Sequence, residues 1–238
     1  ELKWFEDYLF GRSQFVQYNS VNSEVESVTC GIPQGSILGP LLFVVFINDL
    51  DTVLKKTNLI LYADDTVVYY SGKTSEEIIK ILNDDLQELG KWFKENNLVI
   101  NMKKGKTEFV LYGTAKRISM QLSGEQSVTI CGENVNQSTS YDYLGVTLDD
   151  KLTFTEYLQK LYKKGSTRLK LLSTVRESIS PYVAETIYCA MIEPVLMYCS
   201  AVLLGDERQC CHKLQNLQER ANKIVFGKKV RNTWIPLK

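Results

Sequence analysis

The hydrophobic and polar positions of this chain alternate with a strand period in much of its first half. Between Leu59 and Tyr70, two runs rich in Leu, Ile, Val and Tyr flank one pair of acids, Asp64-Asp65. β-Branched and aromatic runs that are broken by a short polar pair predict a β-hairpin with the acids at its turn. Alternation at residues 14–18 and 24–28 predicts a second, shorter hairpin that turns between Asn19 and Ser23.

A helical period takes over in two other parts of the chain. Thr74, followed three residues later by Glu77, is a capping-box signature that predicts a helix start. The apolar face predicted for this helix is Ile78, Leu82, Leu86, Leu89 and Phe93. From Phe154 onward three helices are predicted, with the second starting at Ser180-Pro181. The faces predicted for the first and third are Leu158, Leu161, Tyr162, Leu169 and Leu172, and Leu214, Leu217, Ala221 and Ile224. Strands and helices in separate blocks predict an α+β fold.

Charge changes this picture only locally. The 238 residues carry 28 Lys and Arg against 28 Asp and Glu, so the formal net charge is zero, unlike that of many nucleic-acid-binding proteins. Five basic residues and no acid lie between Tyr157 and Lys170, and seven basic residues against Glu219 alone lie from Lys213 to Lys238. Each patch predicts contact with phosphates, although a solvated helix face explains either one equally well.

Histidine and cysteine usage excludes several kinds of enzyme. His212 is the only histidine, which effectively excludes a Ser-His-Asp or Cys-His hydrolase. The six cysteines lack paired metal-ligand spacing, and we expect buried, reduced thiols in an intracellular protein, nuclear or cytoplasmic and not secreted. No signal peptide opens the sequence, and the apolar run Leu41–Ile47 is too short to span a membrane.

The acid pair is the first candidate for chemistry. Adjacent carboxylates on a rigid apolar hairpin resist joint ionisation, because like charges held close together repel each other. A divalent cation relieves this repulsion, and Mg²⁺ prefers hard oxygen ligands of this kind. Taken alone, however, Asp64-Asp65 is better explained as an ordinary Asp-rich turn.

A loop upstream of the acids reverses that preference. Glycines at positions 31, 35 and 39 and prolines at 33 and 40 predict a tight loop that another group approaches closely. Gln34 and Ser36 offer hydrogen bonds that apolar packing does not require, and an apolar helix is predicted directly after the loop. Loop, helix and Tyr62-Ala63-Asp64-Asp65 follow one another closely, and this combination resembles the palm of reverse transcriptases of the non-LTR (LINE-type) retrotransposon family.

The resemblance covers residues 4 to about 226 and implies an arrangement of subdomains. Residues 1–153 would form a partial polymerase palm, an antiparallel sheet with packed helices that ends in a primer-grip hairpin. Residues 154–238 would form an all-helical thumb with a basic C-terminal segment. Tyr141 to Val146 with Leu152 to Phe154 is the segment that resembles the primer grip.

The resemblance also implies site residues. Asp64 would bridge two Mg²⁺ (or Mn²⁺) ions and Asp65 would support them, with Tyr62 beside the primer end. The residues implied for the nucleotide and template side are Gln34, Gly35 and Ser36. Lys104 or Lys106, which precede a predicted strand at residues 107–112, would approach the triphosphate. The primer grip would be Tyr143, Leu144 and Gly145, and contacts to the nucleic-acid backbone would come from Lys160, Lys163, Lys164 and Lys223.

The partners implied are an RNA template, a DNA primer and a deoxynucleoside triphosphate, with no membrane. The family places a third catalytic carboxylate and the fingers in upstream blocks that this sequence does not contain. We therefore expect the chain to work with the missing N-terminal part of the same polyprotein and to be inactive alone. The alternative is a non-enzymatic retroelement remnant or a nucleic-acid-binding module.

Overall fold

The structure, a computed structural model, describes residues 2–114, 127–203 and 209–226. Helices alternate with groups of short strands as far as Asp149, and the elements described after it are helical, which is consistent with the predicted α+β class. Two compact units divide it: residues 1–100 with 126–134, and residues 101–125 with 135–238. The palm–thumb boundary predicted after residue 153 stays a prediction, because compactness alone does not define either subdomain.

The first unit opens with helix α1 (Leu2–Leu9) and the predicted short hairpin. The hairpin comprises two strand pairs: β1 (Ser13–Gln14) with β4 (Glu26–Ser27), and β2 (Gln17–Tyr18) with β3 (Val21–Asn22). Its turn is tighter than predicted, since Asn19 and Ser20 alone form it, at φ 47° and 64°. Positive φ at both positions suits a two-residue turn because it matches the twist of the flanking strands.

The rest of this unit consists of helices around a second hairpin. Its elements are helix α2 (Gly39–Phe46), a 3₁₀ turn (Leu50–Val53), strands β5 (Asn58–Tyr62) and β6 (Asp65–Tyr69), helix α3 (Ser75–Glu95) and strand β8 (Val128–Ile130). The predicted cap of α3 is confirmed, since the Thr74 hydroxyl accepts a hydrogen bond from the Glu77 N–H at 3.3 Å. Among the described strands β5 and β6 form a two-stranded sheet.

The core of the first unit lies where α3 packs against β8 and the 3₁₀ turn. Its buried apolar residues are Ile47, Leu50, Leu89, Trp92, Val128 and Ile130. Of the predicted face of α3, only Leu89 is buried, and Ile78, Leu82, Leu86 and Phe93 are half-buried. The buried stripe passes through Trp92, which was not predicted. A Cβ on Gly90 would lie 2.9 Å from the Cys131 sulfur, so only glycine allows this approach of helix and turn.

The second unit begins with short strands. They are β7 (Glu108–Phe109), β9 (Glu133–Gln137), β10 (Ser140–Tyr143) and β11 (Val146–Asp149). The strand predicted at residues 107–112 is therefore only two residues long. The expectation of an antiparallel sheet is wrong for β7 and β9, which run parallel with Glu108 opposite Asn136. Parallel pairing is possible here because a long connection, not a short hairpin turn, separates the two strands.

Helices dominate the chain after Phe154, as predicted. They are α4 (Thr155–Val175), α5 (Pro181–Ile187), α6 (Glu193–Met197) and α7 (Gln209–Phe226). The second predicted helix is thus divided, since a π-helical segment (Tyr188–Ile192) separates α5 from α6. Pro194 explains the interruption, because proline has no N–H to donate to an α-helical carbonyl and tolerates only the first turn of a helix.

These helices enclose a single buried cluster. Its residues include Val146, Tyr157, Leu158, Leu161, Leu169, Leu172, Ala184, Tyr188, Ile192, Leu196, Leu214, Leu217, Ala221 and Val225. A Cβ on Gly165 would lie 2.7 Å from Leu196 and 2.9 Å from Leu217, so this glycine brings α4 close to α6 and α7. The predicted faces of α4 and α7 are confirmed, except that Tyr162 and Ile224 are only half-buried.

Cysteine burial is the point on which the sequence prediction is wrong. Cys30, Cys131 and Cys189 are free thiols but exposed, and Cys199 is half-buried. The exposed three lie in a loop, a turn and the π-helical segment, and Cys131 is exposed although its sulfur lies 3.8 Å from the Gly90 carbonyl oxygen. The side chains of Cys210 and Cys211 fall outside the described part of the chain.

Candidate active site

Strands β5 and β6 form the predicted acidic hairpin (residues 58–69). Tyr62 pairs with Asp65, so Ala63 and Asp64 alone make the turn. Ala63 has a φ of 51°, the positive value that the first position of a two-residue hairpin turn favours. The turn therefore places both acids at the tip of a regular hairpin.

Both carboxylates at this tip face solvent. Asp64 and Asp65 are exposed, and Tyr62 beside them is 63% exposed. Neither carboxylate forms an ion pair or a side-chain hydrogen bond with any residue that the structure describes. Their mutual repulsion is therefore not compensated by a protein cation in the described chain, and an external cation is the group that would relieve it.

The donor set of the tip suits a hard divalent cation but is short of ligands. Carboxylate oxygens are what Mg²⁺ prefers, and two adjacent ones fit that preference. Within residues 2–114, 127–203 and 209–226, no group of three or more His, Cys, Asp or Glu side chains is placed to hold a metal. The acidic hairpin thus offers part of a metal site.

Asp85 fixes the base of the acidic hairpin, a role that sequence reasoning missed. Its Oδ2 accepts hydrogen bonds from the N–H groups of Lys55, Lys56 and Thr57 at 3.1, 2.9 and 2.8 Å, and from the Thr57 hydroxyl at 2.8 Å. Burial would raise the pKa of Asp85, but these hydrogen bonds lower it below its ordinary value. The signal was present, since Asp85 falls on the buried stripe of α3 between Leu82 and Leu89.

The Gln34 loop (residues 31–38) leads into α2. Gln34 and Gly35 are exposed, and Gly35 has a φ of 77° that favours glycine. Ser36 is half-buried, and its hydroxyl donates to the Pro33 carbonyl at 2.9 Å while accepting from the Gly39 N–H at 3.0 Å. The loop therefore presents Gln34 and Gly35 to solvent, whereas the Ser36 hydroxyl is already engaged in hydrogen bonds within the loop and with the start of α2.

The two candidate triphosphate lysines lie in one turn. Lys104 and Lys106 are both exposed and flank Gly105, whose φ is 81°. The backbone of Lys106 is fixed on both sides, because its N–H donates to the Lys103 carbonyl at 3.0 Å and its carbonyl accepts from the Tyr141 hydroxyl at 3.1 Å. The geometry does not choose between the two lysines.

Strands β10 and β11 form the grip hairpin (residues 140–149). Tyr143 pairs with Val146, so Leu144 and Gly145 make the turn, at φ 49° and 80°. The Tyr198 hydroxyl donates a hydrogen bond to the Leu144 carbonyl. A hairpin is confirmed at residues 141–146, although Leu152 to Phe154 lie outside it, and its role as a primer grip stays a prediction. Its tip is held by a side chain that the sequence prediction did not include.

Lys160 binds this hairpin instead of presenting a free charge. Its ammonium group lies 3.0 Å from Asp142, 3.1 Å from Glu156 and 2.8 Å from the Thr147 hydroxyl, which itself donates to Asp142. Hydrogen bonds from Thr147 and Lys160 lower the pKa of Asp142. Two carboxylates thus offset the charge of Lys160, which was predicted to contact phosphates.

The other predicted phosphate contacts remain exposed. Lys163, Lys164, Thr167 and Arg168, which we call the basic face of α4, line a shallow depression of about 410 Å³ together with Lys160. Lys223 is exposed near the end of α7. The basic residues after Phe226 lie outside the described residues.

Comparison with known proteins connects this geometry to a family. Residues 1–148 match the reverse transcriptase (RNA-dependent DNA polymerase) family. The chain is 26% identical over 230 residues to the RNA-directed DNA polymerase from mobile element jockey of Drosophila melanogaster, and 29% over 227 residues to that of Drosophila funebris. It is 28% identical over 237 residues to the probable RNA-directed DNA polymerase from transposon X-element of Drosophila melanogaster. The chain therefore belongs to the reverse transcriptase family, in its non-LTR (LINE-type) retrotransposon branch.

The matches cover most of this chain but only a small part of each relative. They cover 92%, 91% and 95% of this chain but 24%, 24% and 25% of these relatives. The chain thus spans about a quarter of the length of the curated relatives it matches. No solved structure matches it significantly. Among the described helices, none combines the length and the apolar character that crossing a bilayer requires.

Proposed function

We propose that this chain carries part of the catalytic centre of an RNA-directed DNA polymerase, with Asp64 and Asp65 as metal ligands. The observation that carries the proposal is the tip of the acidic hairpin. There, two adjacent carboxylates are exposed on a regular turn, and no cation from the described residues neutralises them. Two adjacent acids without a protein partner are arranged for an external divalent ion.

The role proposed for each residue is the one that the family resemblance implies. When bound, two Mg²⁺ or Mn²⁺ ions activate the primer 3′-hydroxyl and stabilise the pyrophosphate leaving group. Asp64 and Asp65 would hold these ions, and Tyr62 would orient the primer end. Gln34 and Gly35 would contact the incoming deoxynucleoside triphosphate and the template, with Lys104 or Lys106 near its phosphates.

The nucleic acid is assigned to the second unit. The grip hairpin, through Tyr143, Leu144 and Gly145, would hold the primer strand, and α4 to α7 would form the thumb. Lys163, Lys164 and Lys223 are the proposed phosphate contacts, because they are exposed cations without a carboxylate partner among the described residues. Lys160 leaves this set, since Asp142 and Glu156 already neutralise it.

Primer extension on a primed RNA template tests the proposal. Residues 1–238 alone should give no measurable DNA synthesis with Mg²⁺ or Mn²⁺, because the described chain brings no third metal ligand to Asp64 and Asp65. A longer polypeptide that supplies a further carboxylate should synthesise DNA. Robust synthesis by residues 1–238 would show that the third ligand is unnecessary, and inactivity of every longer polypeptide would reject the enzyme.

A nucleic-acid-binding module without turnover is the second candidate. The basic face of α4 favours it, because Lys163, Lys164 and Arg168 line one depression and need no metal to bind phosphates. The two candidates separate in the longer polypeptide. If it binds primed template but Asp64→Asn leaves all its properties unchanged, the binding module is the correct function.

A further inference from the structure

The Gln34 loop is fastened at both ends by α1 and the residues just after it. At its far end, the Tyr8 hydroxyl donates a hydrogen bond to Ser36 Oγ at 2.8 Å. At its near end, the Arg12 guanidinium donates to the Gly31 carbonyl. Both contacts join segments of the first unit that are 19 or more residues apart in sequence, so they are tertiary contacts.

Each fastening side chain is itself held in place. The ring of Tyr8 stacks on that of Trp4 one helical turn earlier, with centroids 5.4 Å apart and planes 8° from parallel. Arg12 also donates to the Leu9 carbonyl, at 2.9 Å, near the end of α1. Tyr8 and Arg12 are half-buried. They are therefore preorganised, since the contacts with Trp4 and Leu9 restrict their rotamers.

Ser36 connects Tyr8 to the rest of the loop through two further hydrogen bonds. Its hydroxyl proton goes to the Pro33 carbonyl, just before Gln34, and its oxygen receives the N–H of Gly39 at the start of α2. Tyr8, Pro33 and Gly39 thus meet at one oxygen atom. The loop is fixed on either side of Gln34 and Gly35, while these two residues themselves stay exposed.

We propose that Tyr8 and Arg12 are positioning residues that hold Gln34 and Gly35 in the conformation that receives the deoxynucleoside triphosphate. The catalytic consequence rests on the proposed function, whereas the fastening itself does not. A loop that must present one side chain and one glycine to a substrate requires fixed ends, because small misplacements of a contacting group cost large factors in rate. Neither residue touches the substrate in this scheme.

The variants for the test remove single contacts. Tyr8→Phe deletes one hydroxyl and keeps the ring that stacks on Trp4. Arg12→Lys keeps the charge but loses the planar fork that reaches two carbonyls at once. Tyr18→Phe is the matched control, because it is the same change on a β2 side chain that is 76% exposed.

Amide hydrogen exchange on residues 1–238 tests the fastening without any need for activity. Tyr8→Phe and Arg12→Lys should each speed exchange at the Gly39 amide, whose N–H donates to Ser36 Oγ, about tenfold, the factor that one lost hydrogen bond is worth. Tyr18→Phe should leave this rate unchanged. Unchanged exchange in the Tyr8 and Arg12 variants would overturn the proposal.

Steady-state kinetics of a longer, active polypeptide then test positioning. Tyr8→Phe should raise the KM for the nucleotide about tenfold with kcat within a factor of two, and the double variant with Ser36→Ala should be no worse than Ser36→Ala alone. An additive double variant, or an unchanged KM beside faster exchange, would overturn the positioning role. If no longer polypeptide synthesises DNA, the catalytic consequence falls with the proposed function, while exchange still decides the fastening.

Discussion

The acidic hairpin and the grip hairpin both close with a two-residue turn. Each turn directly follows a tyrosine, with Tyr62 opposite Asp65 in one and Tyr143 opposite Val146 in the other. The first turn residue has a φ of 51° in the acidic hairpin and 49° in the grip hairpin, whereas the second has positive φ only in the grip hairpin, at Gly145. The two hairpins differ further in their side-chain contacts.

The grip hairpin is held near its tip and the acidic hairpin at its base. Tyr198 donates to the turn of the grip hairpin, and Lys160 bridges its two strands through Asp142 and Thr147. In the acidic hairpin the anchor is Asp85, which binds the residues before β5. No described side chain bonds to its turn. Protein contacts therefore already stabilise the tip of the grip hairpin, whereas the acids at the tip of the acidic hairpin remain available to a metal ion.

Neutralising the free acids should give the largest effect. In an active longer polypeptide, Asp64→Asn or Asp65→Asn should lower the rate of primer extension by about 10²–10³, because charge at the metal ligands is lost. The same changes should leave the thermal midpoint of residues 1–238 unchanged or slightly higher, since they relieve like-charge repulsion. Asp142→Asn in the grip hairpin is the control and should do the reverse, with a lower midpoint. Equal loss of stability from all three variants would remove the distinction between the hairpins.

Removing the anchor at the base should be the next largest effect. Asp85→Ala leaves several backbone N–H groups without their acceptor, and each buried one costs about 1–3 kcal/mol, so a loss of about 3 kcal/mol in the free energy of unfolding is expected. Asp84→Ala, the same change on the exposed neighbouring position of α3, is the control. Urea unfolding measures both, and amide exchange at Lys55 to Thr57 locates the loss. Equal effects at positions 84 and 85 would show that the anchor does not stabilise the hairpin.

The two hairpins show which features of the site could be predicted from the sequence and which could not. The acidic hairpin and the cap at Thr74 depend on residues close together in sequence, so local patterns predicted them, whereas the grip hairpin was implied by the family resemblance. Lys160 lies on α4 and its partner Asp142 on β10, 18 residues earlier, and no local pattern pairs them. The same holds for Tyr8 and Ser36, 28 residues apart. Of the site, therefore, the exposed acids were predictable and the contacts that position the loops were not.

The lysines of α4 should differ in their contribution to nucleic-acid binding, according to whether a carboxylate already neutralises them. Lys163→Ala and Lys164→Ala on the basic face of α4 should each weaken duplex binding about threefold to tenfold and reduce the slope of log K against log salt by about one. Lys160→Met should change the affinity and the salt slope much less, because Asp142 and Glu156 already neutralise this lysine. Titration of a labelled primer–template duplex at several salt concentrations measures both. A loss of affinity in Lys160→Met as large as in Lys163→Ala would return Lys160 to the phosphate contacts.

The smallest effect is a pH dependence that belongs to the grip hairpin. Thr147 and Lys160 lower the pKa of Asp142 below its ordinary 3.8, so the stability from this pair is fully present above that pH and is lost as the pH falls through the lowered value. Burial opposes a raised pKa of Lys160, but Asp142 and Glu156 raise it above 10.5, so the stability is present below 10.5 and is lost as the pH rises through the raised value.

The difference in unfolding free energy between wild type and Lys160→Met should therefore be constant at intermediate pH and shrink at both ends. Its plateau should be about 1 kcal/mol, since both partners are partly exposed. Urea unfolding of residues 1–238 across the pH range measures it, with Lys163→Met as the control whose difference from wild type should stay flat. A difference that shrinks only in acid would mean that Lys160 keeps its ordinary affinity for protons, and one that never changes would mean that the ion pair does not hold the hairpin.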